Sequence, residues 1–175
     1  MTAVSPIREP GFRNGVDSGS SVSAMTDPPV VRHEQLIAEI AHHLAEEVEG
    51  DWSTLVFNHR NLSMFFTGRI EVHRPDGSFA LVRPPDSVLS LTDELRRVMY
   101  EPGKGAWFSA RWTIASGEDE QTSSPQVVFN YDDEPVWRWP AHPGLYAIDL
   151  ETYPRDEDRV PGWLRQKVNG AQRTL

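Results

Sequence analysis

Residues 54–83, TLVFNHRNLSMFFTGRIEVHRPDGSFALVR, decide the fold. β-branched and aromatic residues recur through the stretch, and polar clusters punctuate it. Thr54 to His59 reads as one strand and Leu62 to His73 as a second, with Arg60-Asn61 as the turn between them. Pro75-Asp76-Gly77 is a strong turn signal and leads into a third strand, Ser78–Arg83. Connections this short join antiparallel neighbours, because a parallel return needs a crossover of a dozen residues or more.

Further along, Trp107 to Ala115 alternates. Phe108, Ala110, Trp112 and Ile114 point one way, and Trp107, Ser109, Arg111 and Thr113 the other. Gly117–Ser124 is an acidic loop, after which Val127–Tyr131 resumes as a strand.

Helical spacing appears on either side of the meander. Over residues 31–49, Ile37, Ile40, Leu44 and Val48 recur at three or four, and Gly50 is a stop signal. Glu46, Glu47 and Glu49 sit at the end of that helix, where the dipole disfavours negative charge, so packing must hold it. A second helix is expected from about Leu91 to Tyr100. Leu91, Leu95, Val98 and Met99 share a face, Ser90 caps it, and Pro102-Gly103 ends it. After Asp132, prolines and aromatics predict irregular coil with a short strand at Tyr146–Leu150. Pro161–Val168 reads as a short final helix.

The order of elements predicts an α+β domain. An N-terminal helix packs on a mostly antiparallel sheet, a second helix lies between strands, and a short helix closes the chain. There is no βαβ alternation, which argues against a dinucleotide-binding fold. Residues 1–30 are rich in Gly, Ser, Pro and Asp and read as a tail, with Met25 as an alternative start. That leaves 31–175 as a single domain, and 175 residues fit that size.

The composition excludes several chemistries. The chain has no cysteine, so disulfides, thiolate metal sites and a thiol nucleophile are out. No run approaches the ~18 apolar residues of a membrane span, and the N-terminus lacks the apolar stretch of a signal peptide. The sequence therefore predicts a cytoplasmic protein. The net charge is −9, and all of it lies between Gly117 and Asp158, where eleven acids face only Arg138 and Arg155. That argues against nucleic acid, which wants a basic footprint. It suits a basic protein partner steered in by charge.

Candidate sites are few. Gly103-Lys104-Gly105 fails as a phosphate loop. Val98 stands where the pattern needs Gly, Gly105 stands where it needs Ser or Thr, and a helix precedes the loop instead of a strand. The loop reads either as a helix cap or as an exposed lysine on a flexible tip that probes a partner's pocket. His42, His43, Glu46 and Glu47 place His/Glu pairs at helical spacing, but no third ligand joins them, and a solvated face is the expectation. Asp132-Asp133-Glu134 follows a strand. These carboxylates can shape a turn through local backbone N–H groups, meet a partner, or hold a divalent cation for hydrolysis. Trp137 and Trp139 share a face if extended and would cover a sheet end.

Gly105-Ala-Trp-Phe-Ser-Ala-Arg-Trp-Thr-Ile-Ala-Ser-Gly117 followed by Val127-Val-Phe-Asn-Tyr-Asp-Asp-Glu-Pro-Val-Trp137 resembles the YezG-like immunity proteins of polymorphic toxin systems. The shared features are a Trp-initiated strand, a Gly-marked turn and a strand ending in Tyr-Asp-Asp, and the likeness covers about residues 33–140. Asp149-Leu-Glu-Thr-Tyr-Pro-Arg155 and Pro161-Gly-Trp-Leu164 extend it toward the members that counter NAD⁺ glycohydrolase toxins. The resemblance implies an antitoxin with no catalysis and no cofactor. It would bind a secreted NAD⁺ glycohydrolase one to one and occlude the NAD⁺ site. Gly103, Lys104, Gly105, Asp132, Asp133 and Glu134 are then the candidate partner-binding residues. The region after Trp137 is longer and richer in proline than in shorter members. A different toxin such as a nuclease, a small metal-dependent hydrolase and an adapter for a secretion or regulatory complex stay open as alternatives.

Overall fold

The structure is a computed structural model that describes residues 29–117 and 124–172. Its elements run α1 (Pro29–Glu47), β1 (Thr54–Leu62), β2 (Phe65–His73), β3 (Phe79–Val82), α2 (Asp86–Val98), β4 (Ser109–Ala115), β5 (Gln126–Asn130), α3 (Pro143–Thr152) and α4 (Gly162–Gln172), with a 3-10 turn at Glu157–Arg159. The five strands form one antiparallel sheet in the order β3-β2-β1-β4-β5. The fold is α+β, as the order of elements predicts. No helix among the described residues is long and apolar enough to cross a membrane.

Alternation assigns the two sheet faces. Leu55 and Phe57 pair with Val72 and Ile70 on one side and with Ile114 and Trp112 on the other. All six are buried, and α1 covers them with Leu36, Ile40 and Leu44 while α2 adds Val88 and Leu95. The opposite face carries Asn58, Arg60, Arg69, Glu71, Arg111 and Thr113. α3 and α4 cover only its hairpin end, where Leu62, Phe108, Tyr146 and Leu164 form a second core with Phe65 and Trp137 packed against it.

Several boundaries differ from the sequence expectation. The first turn is not at Arg60-Asn61. The ladder runs on to Leu62 paired with Phe65, and the chain reverses at Ser63-Met64. Ser63 takes φ 47°, and the Asp149 carboxylate holds both its N–H (2.8 Å) and its hydroxyl (3.2 Å), so a distant acid fixes a turn that local composition does not mark. α2 begins at Asp86 with Pro85 at its N-cap, and Ser90 lies inside the helix, donating back to the Asp86 carbonyl at 3.1 Å. The strand expected at Tyr146–Leu150 is helix α3. His142 caps it, accepting from the Gly144 N–H at 3.1 Å, and Pro143 supplies the first-turn geometry. α4 runs to Gln172, past the expected end at Val168. α1 starts at Pro29, within the stretch read as tail; residues 1–28 and the acids Glu118, Asp119 and Glu120 lie outside the described residues.

Trp107 and Phe108 break the expected alternation. Both precede β4 and both are buried, Trp107 in the helix-side core and Phe108 in the second. The two cores meet at one ion pair. Arg96 of α2 forks onto Asp149 of α3 at 2.8 and 2.9 Å, and its Nε–H donates to the Trp107 carbonyl at 2.7 Å. Both side chains are almost wholly buried, at 1% and 5% exposure. The guanidinium also lies 4.5 Å from the centre of the Tyr153 ring.

Candidate functional site

The candidate residues are organised by two glycines. After α2 the chain turns back at Glu101–Gly105, with the N–H groups of Lys104 and Gly105 both donating to the Glu101 carbonyl. Gly103 and Gly105 have φ of 81° and 85°, a region that costs other residues strain. Each is also approached closely. A Cβ on Gly103 would meet the Asp156 carboxylate and one on Gly105 the Arg155 side chain, both at 2.5 Å. The 155–156 segment is bonded to this turn, with the Asp156 N–H donating to the Gly103 carbonyl at 2.7 Å. The loop is therefore a clasped turn and not the free, Gly-flexed tip that was one of its two sequence readings.

Lys104 is held as well. Its ammonium pairs with Glu101 at 2.8 Å and lies 4.6 Å from the centre of the Tyr131 ring. The hydrogen bond to Glu101 raises it above the usual lysine value, so the group is fully charged. Its side chain keeps 38% exposure, so one side faces outward.

Tyr131 brings in the second candidate stretch. Asn130 shapes the turn after β5: its Oδ1 accepts from the N–H groups of Asp132 (3.2 Å) and Asp133 (2.9 Å), and its amide donates to the Asp133 carbonyl. Shaping this turn, one of the roles open to Asp132 and Asp133, falls to Asn130. The asparagine does that work because its amide supplies donor and acceptor together, which a carboxylate cannot. The Asp132 carbonyl accepts from the Trp163 indole at 2.6 Å, which ties the turn to α4.

Lys104, Tyr131 and Asp132 thus line one cleft of about 450 Å³ with Arg155, Asp158 and Arg159. Arg155 is its back wall. It donates to the Ala106 carbonyl at 2.7 Å, and its guanidinium sits 4.6 Å from the Phe108 ring centre. Burial draws it below the usual guanidinium value, against the opposing pull of Asp132 and Asp149. The remaining candidates lie elsewhere. Asp133 is exposed, and Glu134 pairs with Lys167 of α4 at 2.8 Å and borders a different cleft. The sequence reading misses Tyr131, Arg155 and Arg159. The one available signal was the near-continuous charge of residues 155–159, which reads as solvated loop until Gly103 is seen to accept from its backbone.

The remaining motifs fall into structural roles. His42 and His43 both lie beside Glu46, at 3.3 and 3.7 Å, on an outward face of α1. Trp137 packs against Phe65 with ring centres 5.1 Å apart, while Trp139 is exposed, so the pair does not share a face. Protein-family models give no match to this chain, and a search of curated proteins finds no significant relative.

Proposed function

We propose that the chain is an immunity protein that binds a secreted NAD⁺ glycohydrolase one to one and covers its NAD⁺ site. The observation that carries this reading is the meeting of Lys104 and Asp132 in one cleft. Asp132 lies in the second half of the stretch that resembles YezG-like immunity proteins, and Lys104 immediately precedes the first. The C-terminal part of that resemblance, which is to the immunity factor of tuberculosis necrotizing toxin, includes Arg155 and the start of α4. A rim of opposed charges over an aromatic floor suits a polar protein surface better than an apolar small molecule. Lys104 reaches the partner from a fixed position, so little side-chain freedom is lost on binding.

The test is co-expression with a secreted NAD⁺ glycohydrolase domain, followed by size exclusion and an NAD⁺ hydrolysis assay. A one-to-one complex with no NAD⁺ loss is expected, with nanomolar affinity or about −12 kcal/mol. Lys104→Glu should cost the complex tenfold or more. It should leave the free protein's stability within about 1 kcal/mol, because an exposed pair contributes little. Free NAD⁺ consumption with no complex overturns the reading. Unchanged affinity in Lys104→Glu removes the cleft from the interface.

A further inference from the structure

The uncovered part of the sheet's second face carries three arginines around one asparagine. Arg69 and Arg111 pair in register with Asn58 from either side, and Arg60 lies two residues along β1 on the same face. Strand spacing puts Arg69 and Arg111 roughly 10 Å apart at their Cα atoms, with Arg60 about 7–8 Å from each on the diagonals. None of the three guanidiniums makes a hydrogen bond or ion pair among the described residues. Elsewhere Arg32, Arg83, Arg96 and Arg97 each reach a carboxylate. The chain has 26 acids to 17 bases, so counter-ions are not scarce in the composition. Glu71, an acid on this face, is engaged by the Asn58 amide at 3.2 Å.

This cationic floor has an apolar rim. Arg60, Arg111 and Asn58 line a cleft of about 490 Å³ that Val128 and Val136 border. Those two valines are 69% and 81% exposed. Arginine beside exposed apolar groups is the composition of an interface and not of a solvated face.

We propose that this face docks an extended, acidic segment of a protein partner, carboxylates toward the three guanidiniums and apolar side chains toward Val128 and Val136. A peptide fits better than nucleic acid. Three cations neutralise few phosphates, and the exposed Val128 and Val136 match the apolar side chains of a peptide, which a phosphate backbone lacks. The surface is separate from the Lys104 cleft: Asp132 borders that cleft, while Glu134 and Val136 border this one. The inference stands whatever toxin the chain meets.

The probe is a capped seven-residue peptide alternating valine and glutamate, titrated into the isotopically labelled full chain and followed by NMR. Shifts are expected at residues 56–60, 67–71, 109–113 and 128, weakening as salt is added. The Arg60→Gln/Arg111→Gln double variant should lose at least tenfold in affinity while the spectrum elsewhere stays unchanged. Arg97→Gln, on α2 and outside the cleft lining, should bind as wild type. Equal binding of a valine–glutamine peptide, no shifts on this face at millimolar peptide, or tighter binding of a ten-nucleotide thymidine strand would each overturn the proposal.

Discussion

Replacing Asp149 by asparagine should destabilise the protein by about 3–5 kcal/mol, because it leaves a buried charge without its counter-charge. Arg96 and Asp149 share two hydrogen bonds at 2.8 and 2.9 Å, and neither side chain is more than 5% exposed. The substitution keeps shape and volume, so no cavity contributes. It does remove the charge that balances Arg96, and in either flip it sets an amide NH₂ against a guanidinium N–H, in one of them against the Ser63 N–H as well. That N–H now rests on Asp149 at 2.8 Å and holds Ser63 in its left-handed conformation. For a chain of this size each kcal/mol moves the midpoint roughly 2–4 °C, so Tm should fall by roughly 6–20 °C.

Urea unfolding followed by tryptophan fluorescence is the natural assay, since the Trp107 carbonyl accepts from Arg96 at 2.7 Å. The slope m should hold while the midpoint falls. A cycle with Arg96→Met and Asp149→Leu sharpens the test. Removing both charges leaves the Trp107 carbonyl and the Ser63 N–H unmatched, about 1–3 kcal/mol each, so the double variant should lose far less than the two singles combined. A loss below about 1 kcal/mol in Asp149→Asn, or additivity within about 0.5 kcal/mol, would refute the pairing as the joint between the two cores.

Two further predictions follow from the same packing. Burial, helped by Arg96 and Arg60, pushes His59 down to about 3 from the ordinary 6.5, and neither ring nitrogen has a hydrogen-bond partner among the described residues. The unfolded chain therefore takes the proton first: stability is full above pH 6.5 and falls as pH drops toward 3, by about 2 kcal/mol at pH 5. His59→Leu should remove that slope from urea midpoints measured between pH 7 and 5; an unchanged slope would refute a neutral, desolvated imidazole. Gly105→Ala should cost about 2–4 kcal/mol, from φ strain plus displacement of Arg155, whereas Gly77→Ala, at φ 84° with nothing within 4 Å, should cost about 1–2. Equal losses in thermal melts would show that Arg155 is free to move aside.

The sheet was legible because its signals are local. Alternation in β1, β2 and β4 and the Asp76-Gly77 turn each sit within a few residues, and the Asp76 carboxylate accepts from the Ser78 N–H at 2.9 Å within that span. The C-terminal third was not legible, because its order comes from contacts far along the chain. α3 reads as a strand by its apolar run. Helical phasing would have stacked Tyr146, Asp149 and Tyr153 on one face, and all three are buried. Arg96 follows the same logic. It lies four residues after buried Thr92 and one after Leu95, on the inner face of α2, where a charge has to find a partner. A buried acid and a buried base on opposite apolar stripes were the available clue, and reading α3 as extended hid half of it.

That same pair changes what the acidic segment can do. Eleven acids between Gly117 and Asp158 suggest a single negative patch, yet Asp149 is spent inside on Arg96 and Glu134 on Lys167. Asp132 and Asp158 face Arg155 and Arg159 across a cleft, so their field is partly cancelled where a partner would arrive. Meanwhile three bases that the sequence sum counts as neutralised stand together, without counter-ions among the described residues, on the sheet. Steering depends on the placed charges and their screening, not on the net value. On-rates should therefore carry a weaker salt dependence than a net charge of −9 implies, and reversing Arg60 or Arg111 should change them in the opposite sense to reversing Asp132.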